Sequence, residues 1–351
     1  MHRNIRKSLW VFIITICFVG KISSQLSRNQ QSELSKAIGF YLGTTIYTDL
    51  IIEELPQFRQ EAMLAKLNFE LAHKNGFENI LSRSETIFGL SRDSIQNKMV
   101  NLFYSEYKTN SLSIKEAKIF LQTFESERIK GDSGIYNGFV KTLLGENTRY
   151  ISNPYYEFED GFYYDYSTKD HPKSKGIDIA MKIPKSWTKK SGRRPNIIDV
   201  FESYDEKARL SVAVKDLKSN LIEEYGELSI EDLNYINSSE YEKDMIESFD
   251  EDLCKSFLQH SRVDKIENFN FKRINVDGQP AMDISGILEI EVMGTRGRNY
   301  CNSIVIVYKH YLINIFSTIE IENSNLIIEK YKPLLNIIQL TSIINNKWIN
   351  R

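Results

Sequence analysis

Three acidic residues in a Tyr-rich stretch are the strongest candidates for acid–base chemistry in this sequence of 351 residues. Glu157, Glu159 and Asp160 lie among seven aromatic side chains. Two carboxylates that share one cleft, in environments that separate their pKa values, can hydrolyse a glycosidic bond. The stretch therefore allows a secreted hydrolase of an extracellular polymer. We expect the three acids to be exposed, however, and exposure works against such chemistry.

A second motif with the letters of a catalytic site is "GDSG", from Gly131 to Gly134. The same residues surround the serine nucleophile of trypsin-like proteases, so Ser133 is the candidate nucleophile. A serine nucleophile needs a neighbouring base and an oxyanion hole. Here the motif follows a helical pattern, and we interpret it as a loop that ends a helix. No residue of the sequence is assigned a catalytic role.

The histidines do not form a metal-binding pattern. They are scattered along the chain, and none belongs to a His-x-x-x-His motif. Asp170 and His171 could contribute to one site, but the adjacent Pro172 favours a plain loop. We therefore predict no metal and no cofactor. The histidines beyond residue 2 are His73, His171, His260 and His310.

A basic stretch from Met181 to Asn196 carries six Lys or Arg residues, one Trp, two Pro and no acid. Our first interpretation is a bend. The preceding strand ends at Pro184, which offers no N–H to a sheet, and Trp187 folds back as an apolar wedge. The remaining residues from Lys185 to Gly192 are expected to form a solvated loop. The acids expected to balance its charge are Asp178, Asp199, Glu202 and Asp205.

The alternative for this stretch is a docking surface for an acidic partner or an anionic ligand. Its binding residues would be Trp187, Lys189, Lys190, Arg193 and Arg194. A second basic segment, "GTRGRN", offers Arg296 and Arg298 as another anion contact, although a solvated turn is the simpler interpretation.

The aromatic stretch is the third binding candidate. Exposed Tyr side chains bury much area at a low cost in entropy, and Tyr163 and Tyr164 would be the contact residues. In the alternative that we favour, the aromatic residues fill a groove between two domains. The residues of that groove would be Tyr155, Phe158, Phe162 and Tyr164.

The first 24 residues have the pattern of a signal peptide. Arg3, Arg6 and Lys7 precede the apolar run Leu9 to Gly20, which is shorter than a bilayer span. We expect cleavage after Ser24 and a periplasmic or secreted protein with no later membrane span. A retained anchor is the alternative.

Net charge argues against nucleic acid as a partner. The whole chain has a formal charge of −2, and residues 25–351 carry 41 bases against 47 acids. Binding to nucleic acid requires a predominantly basic face. Export would allow a disulfide between Cys254 and Cys301. Two buried free thiols are the alternative that we favour.

Periodicity divides the chain into a helical domain at 25–150 and an α+β domain at 173–351. A helical stripe at residues 34–42 and a capping box at Ser113 and Glu116 belong to the first. A helix from about Pro56 is expected to stop at Asn75–Gly76. Residues 151–172 would be a Tyr-rich acidic linker or hairpin that turns at Asp160–Gly161.

The α+β domain begins with an alternating strand at 177–183. Four strands follow at about 263–275, 280–292, 300–308 and 311–319, with Asp277–Gly278 as a strong turn signal. A closing helix, kinked or restarted near Pro333, would cover the sheet. Hairpin-connected strands with helices before and after them predict an antiparallel sheet flanked by helices.

The motifs "GIDIAMKIPKSW" and "RRPNIIDVFES", with the late strand "HYLINIFSTIE" and a helix leading into "LTSI", resemble the PsbP-like α/β/α sandwich. The resemblance covers about residues 175–345. It implies a sheet covered by helices and a role in binding or assembly, with no ligand residue carried over. The helical half resembles segments of uncharacterised exported bacterial proteins.

These observations together predict an exported, non-enzymatic binding or assembly protein of the bacterial cell envelope with a protein partner. The alternatives are the hydrolase described above and a small-molecule or metal carrier.

Overall fold

The chain divides into two compact units, Met1–Ser152 and Asn153–Arg351, called here the helical unit and the sheet unit. A computed structural model describes residues 28–88, 91–108, 112–132, 134–258, 263–292, 295–321 and 325–345. The predicted signal peptide lies outside these residues. In the described part of the chain, no helix is both long enough and apolar enough to cross a membrane.

The helical unit consists of six α-helices, in its described part, with a 3₁₀ turn at Pro56–Phe58 and a π-helical turn at Glu125–Ile129. The helices are α1 (Arg28–Glu54), α2 (Arg59–Phe88), α3 (Arg92–Lys108), α4 (Ile114–Gln122), α5 (Asn137–Gly145) and α6 (Thr148–Ser152). Pro56 occupies the first turn, where a missing N–H is tolerated.

The predicted apolar stripe of α1 is confirmed. Its five residues are all buried: Leu34, Ala37, Ile38, Tyr41 and Leu42. The ring of Tyr41 stacks on Phe77 of α2 with 4.0 Å between centroids. Aromatic stacking of this kind adds to the area buried between helices.

The prediction that α2 stops at Asn75–Gly76 is wrong, because α2 continues to Phe88. Gly76 lies where α2 crosses α5, and a Cβ atom built on it would fall 1.9 Å from the carbonyl oxygen of Leu143. The glycine therefore permits a close approach of two backbones. The capping box is also wrong: Ser113 is the N-cap of α4, but its side chain makes no capping hydrogen bond.

The sheet unit begins with the short helix α7 (Tyr155–Glu159) and contains two antiparallel sheets. The strands are β1 (Tyr163–Ser167), β2 (Asp178–Pro184), β3 (Thr188–Ser191), β4 (Ile197–Glu202), β5 (Ala208–Asp216), β6 (Val263–Val276), β7 (Gln279–Val292), β8 (Thr295–Tyr308), β9 (Tyr311–Ile321) and β10 (Ile343–Asn345). The remaining helices are α8 (Lys218–Tyr225), α9 (Ile230–Tyr235), α10 (Ser239–Glu247), α11 (Glu251–Leu258) and α12 (Leu326–Leu340).

The larger sheet has seven strands in the order β3-β4-β5-β9-β8-β7-β6, and the smaller has the order β1-β2-β10. Alternate residues of the central strands point to opposite faces. On one face, Ile304, Ile306 and Ile315 pack in a core that also contains Leu334 of α12 and Ile179 of β2. On the other face, a second core joins the helices α10 and α11 to β7 and β8. Its buried residues include Tyr241, Ile246, Cys254, Leu258, Met282, Ile284, Cys301 and Val305.

The predicted α+β class, helices followed by an antiparallel sheet with flanking helices, is confirmed. Asp277 and Gly278 both have positive φ angles, 51° and 80°, which is the conformation that a two-residue hairpin turn requires. Asp160–Gly161 does not turn a hairpin, since it joins α7 to β1. The hairpin is formed instead by β1 and β2.

Substitution of Gly76 tests the close approach of α2 and α5. We expect Gly76→Ala to lower the free energy of unfolding by about 3 kcal/mol, because the new methyl group collides with backbone rather than with a flexible side chain. Gly138→Ala is the matched control, with its nearest atom at 3.8 Å. We expect it to change stability by less than about 1 kcal/mol. Urea unfolding of both variants measures the difference, and equal stabilities would contradict the account.

Candidate functional site

The basic stretch joins the two sheets: Met181–Pro184 belongs to β2 of the smaller sheet, and Thr188–Ser191 is a strand at one edge of the seven-stranded sheet. The predicted solvated loop is wrong at both ends, because Thr188–Ser191 is the edge strand β3 and Lys185 and Ser186 are buried. Trp187 is buried, as expected, with its ring edge-on to Tyr331 of α12 at 6.5 Å. Residues Lys189, Lys190, Arg193 and Arg194 are exposed, and we call this group the basic edge.

The turn that carries the two arginines has a defined geometry. The N–H of Ile197 donates to the carbonyl of Arg194 at 3.2 Å, which closes a β-turn with Pro195 at its second position, where proline is favoured. Gly192 is required just before it, since a Cβ atom there would lie 2.2 Å from the carbonyl oxygen of Ile197. The arginines therefore sit on a constrained backbone.

A lysine from a neighbouring segment fixes this turn. The ammonium group of Lys173 donates to the carbonyl oxygens of Gly192 (2.5 Å), Arg194 (3.1 Å) and Ile197 (3.3 Å). We call this arrangement the lysine clamp. Sequence reasoning missed Lys173, and no local pattern could have found it. Its partners are 19 to 24 positions away and contribute only backbone atoms.

Two of the four acids expected to balance the basic edge, Asp178 and Asp199, are hydrogen-bonded to groups outside it. Asp178 is buried and accepts a hydrogen bond from Ser167 at 2.5 Å. Asp199 is also buried and accepts one from the hydroxyl of Tyr166 at 2.9 Å. Neither carboxylate is directed at the arginine turn by these contacts.

Glu202 neutralises only part of the basic edge. Burial opposes ionisation of its carboxyl, but hydrogen bonds and charge from Lys190 and Arg209 outweigh burial and lower its pKa. The contact with Arg209 is 2.8 Å. Lys190 is therefore part of an ion pair and not a free cation.

Asp205 belongs to a separate polar cluster. The hydroxyl of Tyr331 donates to it at 2.6 Å, and Ser203 and Lys330 are its further partners. Burial raises its pKa, but these donors outweigh burial and hold the pKa below its usual value. Asp205 therefore serves packing of α12 on the sheet.

None of the four acids expected to balance the basic edge is therefore paired with Arg193 or Arg194. Both are exposed, and neither forms an ion pair within the described part of the chain. The third exposed cation, Lys189, lies over the ring of Tyr166 at 5.8 Å. A planar guanidinium group binds carboxylate or phosphate in a bidentate manner, so the edge is suited to an anionic partner.

Two other predicted binding residues, Arg298 and Tyr163, have partners outside the basic edge. Arg298 is paired with Glu267 at 2.8 Å and lies near Glu289. The side chain of Arg296 lies outside the described residues. Tyr163 accepts a hydrogen bond from Lys182 at 2.9 Å.

The aromatic stretch packs mainly within the sheet unit. Phe162 is buried, and Tyr155, Phe158 and Tyr164 pack against the core beneath α12. Burial, with a contribution from Asp199, raises the pKa of Tyr164. Tyr164 is thus partly withdrawn from solvent.

The expectation that Glu157 is exposed is wrong. Its carboxylate is buried and accepts hydrogen bonds from the N–H (2.8 Å) and the hydroxyl (2.6 Å) of Ser186. Glu159 and Asp160 are exposed. The three carboxylates therefore differ in environment, but Glu157 holds α7 to the segment that follows β2.

Cys254 and Cys301 are both buried and free, so the disulfide that export would allow is not formed. They lie in the core between α11 and β8. Burial raises the pKa of Cys301 to about 12. A protonated thiol is a poor nucleophile, which makes these residues packing groups.

Each described histidine has its own partner. His73 is buried in the helical unit, with its Nε2 atom 3.0 Å from the carbonyl of Ile129. His310 contacts Asn237 at 2.9 Å, and the N–H of Lys173 donates to His171. His260 and Ser133 lie outside the described residues. Within the ranges that the structure describes, no group of His, Cys, Asp and Glu residues is arranged to hold a metal ion.

Comparisons with known proteins show no family. No protein-family model matches the chain, and no curated protein matches it significantly. One solved structure that matches is LpqN, which is involved in cell envelope biogenesis of Mycobacterium tuberculosis. The match has 10% identity and a TM-score of 0.27, and covers 53% of this chain and 94% of LpqN. The comparisons do not show the PsbP-like resemblance, which stays a prediction.

The lysine clamp can be tested by Lys173→Met. We expect a loss of about 2 kcal/mol in the free energy of unfolding, because three carbonyl groups lose a charged donor. Hydrogen exchange at Gly192 and Ile197 should become faster. Lys175→Met is the control, since that lysine bonds only the side chain of Asn196, at 3.2 Å. Unchanged exchange at both amides would show that the clamp does not hold the turn.

The buried side chain of His73 should make the stability of the helical unit depend on pH. Burial lowers its pKa from 6.5 to about 4, so the unfolded chain binds a proton between these values and the folded chain does not. The contribution of His73 to the free energy of unfolding is complete above pH 6.5. It should fall by about 3 kcal/mol as the pH approaches 4. In His73→Gln, which cannot titrate, the decline between pH 7 and pH 4.5 should be smaller by about 2 kcal/mol. Urea unfolding at pH 7 and pH 4.5 compares the two, and parallel declines would refute the assignment.

Proposed function

We propose that the protein is an exported, non-enzymatic binding protein of the bacterial cell envelope that docks an acidic protein partner on its basic edge. One observation carries the proposal: Arg193 and Arg194 are exposed on a clamped turn and pair with none of the nearby acids, of which Asp178 and Asp199 are buried and hydrogen-bonded to other groups. Export and an envelope location rest on the signal-peptide pattern.

Constraint of the turn favours binding. An interface that orders flexible loops loses part of its interaction energy to entropy. Here Pro195, Gly192 and the lysine clamp already fix the backbone that carries the arginines. Their guanidinium groups can then pair with carboxylates of a partner, and most of the ordering cost falls on the two side chains alone.

A protein partner is favoured over a nucleic acid by the charge of the chain. The formal net charge is −2 for the whole chain, and it becomes more negative without the first 24 residues. A polyanion would be repelled by most of such a surface. A local acidic patch on a protein needs to meet only the basic edge. A role in binding or assembly is also what the PsbP-like resemblance implies.

The hydrolase alternative receives no support from the carboxylates proposed for it. Glu157 is bonded to Ser186 through both carboxylate oxygens. Glu159 and Asp160 remain exposed at the end of α7. The small-molecule or metal carrier has no specific observation in its favour either.

Reversal of the arginine charges tests the proposal. The tagged protein is crosslinked in its native cells and purified from the envelope fraction, and the attached proteins are identified by mass spectrometry. We expect one stoichiometric acidic partner with the unchanged protein and at least a tenfold lower recovery with Arg193→Glu/Arg194→Glu. Capture should weaken with added salt, because exposed charges are screened.

The control reverses two exposed lysines of α4, Lys115→Glu/Lys118→Glu, with the same change in net charge. We expect this variant to keep the partner. Equal recovery with the arginine variant, or capture that a nuclease abolishes, would overturn the docking proposal.

A further inference from the structure

Helix α2 has two apolar faces, and only one of them packs in the core of the helical unit. Ala62, Phe69, Phe77 and Ile80 lie on the inner face and are buried. A helix on the surface of a soluble domain needs one apolar stripe, with polar residues opposite. The second apolar face of α2 is therefore not explained by the fold of the unit.

The second face carries four large side chains that are more than half exposed. We call them the leucine stripe: Met63 (56%), Leu64 (59%), Leu67 (53%) and Leu71 (75%). Spacings of three and four residues place Leu64, Leu67 and Leu71 in one row along the helix. Contiguous exposed apolar side chains of this kind mark interaction surfaces.

The charges at the ends of the row are self-complementary. Glu61 lies at the N-terminal end and Lys74 at the C-terminal end, and both are exposed. In the part of the chain that the structure describes, neither takes part in an ion pair. A second copy running in the opposite direction would bring each charge to the end that carries the opposite one.

We propose that the leucine stripe is a self-association surface, on which a second copy of this chain packs antiparallel about a two-fold axis beside Leu67. Residues equally far from the axis on its two sides then face each other. Leu64 lies against Leu71 of the partner subunit, and Glu61 lies at the same end as Lys74 of the partner subunit.

A second copy accounts for the face better than a lipid surface does. Helices that lie on membranes carry a polar flank rich in Lys and Arg. The lysine within the length of the row, Lys66, is bonded to Asp49 of α1 at 2.6 Å. Between Leu64 and Leu71 the exposed face therefore offers lipid headgroups little positive charge.

Sedimentation velocity on the protein purified as its cells process it measures the association. A stable interface takes about 20–30 residues a side, and the leucine stripe has four large side chains, so the dimer should dissociate on dilution. We expect Leu67→Lys to leave only monomer at concentrations where the unchanged protein is dimeric. Ile114→Lys, at another exposed apolar residue, is the matched control and should dimerise normally. Circular dichroism confirms that both variants fold.

Charge exchange tests the antiparallel arrangement independently of folding. Glu61→Lys and Lys74→Glu should each weaken the dimer about fivefold or more, because like charges then meet at both ends. The double variant should recover dimerisation, and a mixture of the two single variants should form a mixed dimer. A wild-type monomer at all concentrations, vesicle binding without dimerisation, or a failure of the exchange to restore association would each overturn the proposal.

Discussion

Burial of both faces of the seven-stranded sheet is the constraint on which the sheet unit depends. One face packs against α12 and the small sheet, and the other packs against α10 and α11. Such a sheet needs apolar residues at successive positions of its central strands, as in β8, where Ile304, Val305 and Ile306 are all buried. With both faces covered, the sheet meets solvent mainly through its edge strands and turns, and the basic edge is one of these places.

The basic edge has two roles, protection of an edge strand by its lysines and presentation of two arginines on a turn. Residue types alone do not distinguish these roles, because both use exposed cations. Lysines on an edge strand discourage pairing with another sheet, and Lys189 and Lys190 of β3 fit that role. Arg193 and Arg194 lie beyond the strand, where protection of the edge does not require them. Their turn is fixed by the lysine clamp, so Lys173 holds the backbone while both arginine side chains stay exposed.

Sequence patterns predicted the strands, turns and helices whose formation depends on residues close to one another in the chain. Alternation and the Asp277–Gly278 turn located the strands from 263 onward, and helical spacing located the buried stripe of α1. Contacts between distant segments were not predictable. Gly76 has the identity of a helix stop but serves a crossing with Leu143, and Glu157 is buried by Ser186, 29 residues away. The same limit explains why the arginines were identified as candidates while Lys173, which positions them, was not.

Site-specific photocrosslinking in native cells tests the central claim most directly. A photoreactive amino acid replaces Arg194 in one strain and Lys118 of α4 in another, and adducts are separated by mass after illumination. A docking role for the basic edge predicts one discrete protein adduct from position 194 and none of that mass from position 118. The same adduct from both positions, or no adduct from position 194, would contradict a docking role for the basic edge.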